Sequence, residues 1–402
     1  MTDATEPSKK LSTDADVIGQ RRSQPVEINS GNAMLHGDVL ETIFIQLPTI
    51  DLVSTSSVST AWNHSVNSSL ALSPRRLPFL FIHQLKFPNS VSTHFFDPHS
   101  RSWHLLPFHR ANNIPRNSKV CTDSATLFNL TPSFLTFSSD PFHLSWNNTL
   151  SPPLLWRSDP VVGFVGSDLV VAGGVYDFED DPFGVEVLRV NGDGIWRRCQ
   201  SMPSEFNCSL FLTTTVVDDK LWVAEKNSGL FSVFNPITGN WGHLENLTGE
   251  HRSTTDFFLF AISYGCDSSG KNTYAVVLGV GGRSKDVSEI RLWKLNYPSM
   301  KRKDIGTMPP EMTSKLVTNQ DGSPVSSIEI LTSSTTGVEE FFYVYNASNP
   351  QEIFMCRVNG VNRCEWESTP NPLMENRSAK DRLIFTCFSI DYDELRSVVN
   401  RR

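Results

Sequence analysis

The period of the apolar positions changes twice along the chain. Residues 1–34 carry Ser, Thr, Asp and Lys without apolar periodicity and read as a flexible tail. From Leu35 a helical rhythm sets in. Val39, Leu40, Ile43, Phe44 and Leu47 make one stripe, with Asp38 at the N-cap position. Pro48 ends that helix because its ring cannot continue the hydrogen-bond ladder. Asp51 caps a second short helix bearing Leu52, Val53 and Val58, and Ser59 opens a third in which Trp62, Val66 and Leu70 recur every four residues. Three helices in about 35 residues fall below the ~40 that usually fold unaided, so the unit needs a partner surface. That is the pattern of a binding module.

From about Pro78 onward the period drops to two, and short β-rich runs alternate with turns. One hairpin recurs in register: Asp97-Pro98-His99-Ser100-Arg101-Ser102-Trp103 and Asn235-Pro236-Ile237-Thr238-Gly239-Asn240-Trp241, each returning a Trp into the next strand. Val190–Trp196 and Val358–Trp366 are degenerate copies. Trp103, Trp156, Trp196 and Trp241 lie 53, 40 and 45 residues apart, and Trp366 follows after 125, room for two units. The intervening unit lacks its Trp: Ile290–Leu295 leads into Met308-Pro309 as Val185–Val190 leads into Met202-Pro203, and six residues before each Met stand Arg302 and Trp196. Apolar strands run into paired glycines at Gly173-Gly174 and Gly281-Gly282, where positive φ and close packing are expected. The strand clusters count as six units, roughly 77–108, 122–158, 161–203, 210–246, 257–309 and 325–390, with Leu383–Phe388 pairing back onto the first to close a ring. A β-sandwich or two stacked domains is the other architecture such strands allow; the periodicity favours the six-bladed propeller.

Composition narrows the function. The 35 basic against 43 acidic side chains give a net charge of −8, which argues against nucleic-acid binding. No stretch approaches the ~20 apolar residues that span a bilayer, and the N-terminus has no apolar secretory core. Seven scattered cysteines without a Cys-x-x-Cys pair suggest neither a disulfide framework nor a zinc site. The chain reads as reduced, cytoplasmic and/or nuclear, the tail's Lys9-Lys10 and Arg21-Arg22 being thin for a bipartite nuclear signal.

Catalytic signatures are missing. Asp177-Phe178-Glu179-Asp180-Asp181-Pro182 concentrates carboxylates without the spacing of a calcium loop, and reads as an exposed loop. His94, His99, His104 and His109 crowd the first blade without metal-ligand spacing. Gly279–Lys285 lacks the Gly-Lys-Ser/Thr order of a phosphate loop. Trp146, Trp156, Trp222 and Trp293 are assigned to the propeller core. No catalytic residue, cofactor or metal site is expected.

Two resemblances fit these parts. Leu35-His36-Gly37-Asp38-Val39-Leu40, Ile43, Leu47-Pro48, Asp51-Leu52, Val58-Ser59 and Trp62 resemble the F-box in order and spacing, with His36 where the family usually has Pro and Thr60 where it has Lys or Arg. The repeats and paired glycines resemble kelch units, which run to ~50 residues. The chain is thus similar to the F-box/kelch-repeat proteins abundant in plants: a tail at 1–34, an all-α F-box at 35–74 and an all-β propeller at 75–402. The resemblance implies a substrate-recognition subunit of a Skp–cullin–F-box ubiquitin ligase. Leu35, Val39, Leu40, Ile43, Leu47, Pro48, Leu52, Val58 and Trp62 would build or present the surface for a Skp-family adaptor, and through it the cullin. The propeller would hold a target protein for ubiquitylation and proteasomal degradation. Phenylpropanoid and flavonoid enzymes are one target class among plant relatives. The rivals are a propeller scaffold or small-molecule-handling enzyme whose helices cap the barrel, and an F-box protein working outside ubiquitylation.

Overall fold

The computed structural model describes residues 37–73, 75–86, 90–106, 114–146, 148–176, 179–190, 192–206, 212–226, 228–247, 257–266, 273–283, 286–317, 327–332, 340–358, 364–375 and 377–399. Three helices come first: α1 (Gly37–Gln46), α2 (Thr49–Ser56) and α3 (Thr60–Leu72). Ser59 caps α3 as expected, its Oγ accepting from Trp62 N at 3.1 Å. Asp38 and Asp51 are not caps. Each lies inside the first turn, because α1 starts a residue earlier and α2 starts directly after Pro48, which has no side-chain oxygen to offer. Both carboxylates still face the positive end of their helix dipole.

Six antiparallel sheets follow among the described residues. Blade 1 holds β1 (Arg76–Lys86), β2 (Ser90–Asp97) and β3 (Ser102–Leu105), and its innermost strand is the last of the chain, β25 (Arg382–Asp391). Blade 2 is β4–β7 (119–150), blade 3 β8–β11 (161–199), blade 4 β12–β16 (212–246), blade 5 β17–β20 (257–307) and blade 6 β21–β24 (328–370). The first strands of blades 2 to 6 are β4 (Lys119–Val120), β8 (Val161–Val165), β12 (Leu212–Val217), β17 (Phe257–Cys266) and β21 (Ile328–Leu331). First strands of neighbouring blades touch (β25 and β4, β8 and β12, β12 and β17, β17 and β21), which places them around the axis. The expected closure is present: β25 pairs with β1 from Arg76↔Asp391 to Leu85↔Arg382.

The recurring Trp has a defined task. It sits on the outermost strand, and in three of the four blades that carry it the indole N–H donates to the last strand of the preceding blade or the residue just past it: Trp103 to Thr369 Oγ1 (2.9 Å), Trp196 to Ser151 O (3.1 Å) and Trp241 to Gln200 O (3.0 Å). Trp366 of blade 6 packs against the core shared by blades 5 and 6 without that bond. Arg302, at the place where blade 5 lacks its Trp, donates Nη2 to Asn246 O of blade 4 at 3.5 Å. Trp156 does not belong to this series. Blade 2 ends at β7 (Asn148–Leu150), and Trp156 lies in the connector beyond it, 55% exposed rather than in the core. Trp222 is buried, and Trp146 and Trp293 pack partly buried against core clusters.

The two glycine pairs also differ. Gly173 and Gly174 take φ of 62° and 64°, and a Cβ on Gly174 would fall 2.3 Å from the carbonyl of Asp159, so the blade 2–3 connector lies directly on the glycine. Gly281 and Gly282 instead stay inside β18 (Thr273–Arg283) at a register shift, where the strand bends without turning.

Two eight-residue helices have no counterpart in the sequence reading: α4 (Pro310–Val317), wedged between blades 5 and 6, and α5 (Tyr392–Val399), continuing from β25.

In blade 1 the fully buried His83 ties the closure together, with Nδ1 3.0 Å from Thr93 Oγ1 on β2 and Nε2 3.0 Å from Thr386 Oγ1 on β25. Burial pushes its pKa from 6.5 down to about 3. The unfolded chain therefore holds the extra proton between those values, and stability falls as pH drops through that window by up to about 1.4 kcal/mol per pH unit. Denaturant midpoints should decline less steeply for His83→Asn than for wild type between pH 6.5 and 4.5, and run parallel above pH 7. Parallel curves throughout would contradict a neutral His83.

Candidate functional site

The helical unit divides its apolar residues between two sides. Leu40, Phe44, Leu52, Val53 and Val66 are buried, and Phe44 meets Trp62 with ring centroids 5.5 Å apart. Their cover comes from within the chain. Phe79, Phe81 and Phe95 of blade 1 and Tyr392, Leu395 and Val398 of α5 join them in one continuous cluster. The partner surface expected for so small a unit is thus supplied on one side by the protein's own C-terminus, and α5 packs on α2.

Outside that cluster, Val39 and Ile43, one turn apart on α1, are 46% and 43% exposed, and Val58, past the end of α2, is 62% exposed. Leu47, Pro48 and Trp62 are half-buried between the two sides. Of the nine sequence candidates, the structure therefore presents Val39, Ile43 and Val58 to solvent and Leu47, Pro48 and Trp62 in part. Leu40 and Leu52 are interior supports. Leu35 lies outside the described residues.

Two anchors hold the unit in one orientation. Arg75 donates Nη2 to Phe44 O at 3.0 Å and also bonds the carbonyls of Ile45 and Leu47, satisfying acceptors that the C-terminus of α1 leaves open. Burial pushes the Arg75 pKa down, and the charge of buried Asp97 works against that shift. The second anchor is a reciprocal cap at α5: Glu394 N donates to Asp391 Oδ1 at 2.9 Å and Asp391 N to Glu394 Oε2 at 3.0 Å. The sequence reading missed both. The Asp391-x-x-Glu394 box and the spacing of Tyr392, Leu395 and Val398 were the available signal.

Residues 34–71 match the F-box domain family. Over 381 residues the chain is 32% identical to the F-box/kelch-repeat protein At1g23390 of Arabidopsis thaliana, covering 90% of this chain and 91% of that one. The chain belongs to the F-box/kelch-repeat proteins. Solved structures align more loosely: a Bacteroides uniformis chain described as a candidate 6-phosphogluconolactonase (11% identity, 78% of this chain and 99% of that one, TM-score 0.39) and a chain of a nidogen/laminin complex (10%, 77% and 98%, TM-score 0.41). Likeness at that level bears on neither fold nor function.

Other candidate chemistry in this F-box/kelch-repeat protein is structural. In the acidic run, Asp177 lies outside the described residues. Glu179 Oε1 accepts from Trp156 N at 3.3 Å and Asp181 Oδ2 from Ser201 Oγ at 2.6 Å, so these carboxylates tether backbone and hydroxyl groups. His104 pairs with Ser102 and stacks on Phe95, while His109 lies outside the described residues. Among the described residues no cluster of three or more His, Cys, Asp or Glu side chains could hold a metal ion, and no helix is long and apolar enough to cross a membrane.

The shared cluster makes a prediction. Leu395 is fully buried in it, so Leu395→Ala should cost about 2–5 kcal/mol. Calorimetry should show one transition for helices and propeller together, lowered in the variant. A separate early helical transition in the wild type would contradict the shared core.

Proposed function

We propose that the protein is the substrate-recognition subunit of a Skp–cullin–F-box ubiquitin ligase. The observation that carries this reading is that Val39 and Ile43, one turn apart on α1, and Val58 beyond α2 are left in solvent by an F-box whose buried apolar residues are already covered by its own chain. An exposed apolar patch on a small helical unit is the mark of a docking surface. Val39, Ile43 and Val58 would contact the Skp-family adaptor, with Leu47, Pro48 and Trp62 at the margin. Leu40 and Leu52 hold the face in shape from beneath. The cullin would join through the adaptor. The propeller would hold a target protein near the charged ubiquitin-conjugating enzyme, a proximity effect in which this subunit performs no covalent step. The target class to try first is the phenylpropanoid and flavonoid enzymes that the family resemblance implies.

The test must leave the shared core intact. Removing residues before 75 would strip Phe79, Phe81 and Leu395 of cover and confuse loss of docking with loss of fold. Surface variants avoid this. Val39→Asp with Ile43→Asp should abolish capture of a purified Skp-family adaptor by the full-length protein, while the melting temperature stays within a few degrees of wild type. Full adaptor capture by that folded double variant would overturn the reading, as would no capture by folded wild type.

A further inference from the structure

β25 runs from Arg382 to Asp391, and the helical unit and α5 join the propeller where Asp391 pairs with Arg76. At the opposite end of the strand, on the rim formed by connectors between blades and by the turns between second and third strands, the surface is hollowed. A recess of about 670 Å³ opens between blades 2 and 3, and one of about 490 Å³ continues toward blade 6. Lys119 and Arg382 line both, which makes them one elongated, open groove.

The first recess has a built wall. Its connector, residues 151–160, is held by a fully buried ion pair: Arg157 Nη2 donates to Glu186 Oε2 at 2.9 Å and Nη1 donates to Gly173 O at 2.6 Å and Gly184 O at 3.0 Å. Glu186 in turn accepts from Leu154 N at 2.8 Å and Leu155 N at 3.2 Å. Tyr176 N donates to Trp156 O at 3.1 Å. The effect is to display two aromatic rings on a fixed backbone, Trp156 55% and Tyr176 42% exposed. Trp and Tyr presented in this way are the side chains that carry most of the energy of protein interfaces.

The groove's charge is opposite to that of the chain. Against a net −8 overall, three cations and no carboxylate line the first recess, and four cations and one carboxylate, Asp381, line the second. Arg157 is matched by Glu186, Lys119 pairs with Asp159, and Asp381 accepts from Gln84 Nε2 and Ser378 N. Arg382 is partly desolvated: burial pushes its pKa down, with Asp159 acting against the shift. An incoming carboxylate would offset that burial with an opposite charge.

We propose that this groove holds the target, a reading that rests on the substrate-receptor function above, and that it takes an extended, acidic protein segment carrying an apolar residue for the Trp156–Tyr176 cleft. Its open, elongated form fits a stretched chain, and its cations select carboxylates.

The test uses fluorescence anisotropy on the full-length protein with a pool of labelled peptides of roughly twelve residues, ~40 Å when extended. Asp or Glu alternates with Phe, Leu or Pro, and a matched pool carries Asn and Gln in place of the acids. The acidic pool should bind, and the amide pool about tenfold or more weaker. Trp156→Ala and Lys119→Gln should each weaken the acidic pool about tenfold. Equal binding of the two pools, indifference to Trp156→Ala, or uptake of 4-hydroxyphenylacetate but no peptide would overturn the proposal. Adaptor capture is measured on the same samples. Capture without peptide binding overturns the groove alone, whereas peptide binding without capture overturns the ligase reading and leaves the groove standing.

Discussion

The pairing of β25 with β1 is the contact on which the rest of the structure depends. It joins strands some 300 residues apart in the chain and supplies the innermost strand of blade 1. Without it, β1 would be an open edge beside the channel, the kind of edge that recruits other chains. The same strand fixes both ends of the molecule. Arg382, at its start, lines the rim groove, and Asp391, at its end, caps the helix that covers the F-box. His83 shows how tightly the closure is made, since a ring kept neutral by burial bridges β2 and β25. Tyr343 of blade 6 adds to the seam by donating its hydroxyl to Pro78 O at 2.6 Å.

Much of this was legible because each signal was local. The 3.6-residue stripe, Pro48 and the Ser59 cap place three helices, and the recurrent Asp/Asn-Pro turns place the outer hairpins. The repeat could be followed through degenerate copies because Trp103, Trp196 and Trp241 each work by one hydrogen bond toward the preceding blade, and Arg302 can donate the same bond. Trp156 misled for a related reason. Its spacing matches the series, but spacing does not distinguish an outer strand from the connector just beyond it. Likewise the two glycine pairs read alike in sequence, although Gly174 lies against the blade 2–3 connector and Gly281-Gly282 mark a register shift inside β18.

The division of the F-box surface was not legible. Val39 and Leu40, or Ile43 and Phe44, are adjacent apolar residues on one stripe, and nothing within the helix says which of each pair is covered. The answer comes from Leu395 and Val398 in a helix more than three hundred residues away, and from Phe79 and Phe81. The anchors Arg75 and Glu394 are ordinary charged residues until the fold brings them to helix ends. The rim groove escaped for the same reason. Lys119, Trp156 and Arg382 belong to connectors and strand starts spread over the chain, and converge only once the ring is closed.

That shared core also bears on mechanism. A receptor joined to its docking unit by a flexible linker raises the local concentration of its target by an amount set by linker length. Here no such linker intervenes: α1 ends against Arg75, which begins the approach to blade 1, and α5 closes over α2. Groove and F-box lie at the two ends of a ten-residue strand, about 30 Å apart at ~3.3 Å per residue. On the proposed reading, a segment bound across the groove would be held at a set distance and angle from the adaptor. Which of the target's lysines reach the conjugating enzyme would then depend on how the rest of the target extends from that segment. Selectivity among lysines would be a property of rigid geometry, and loosening α5 would blur it even where both binding sites remained intact.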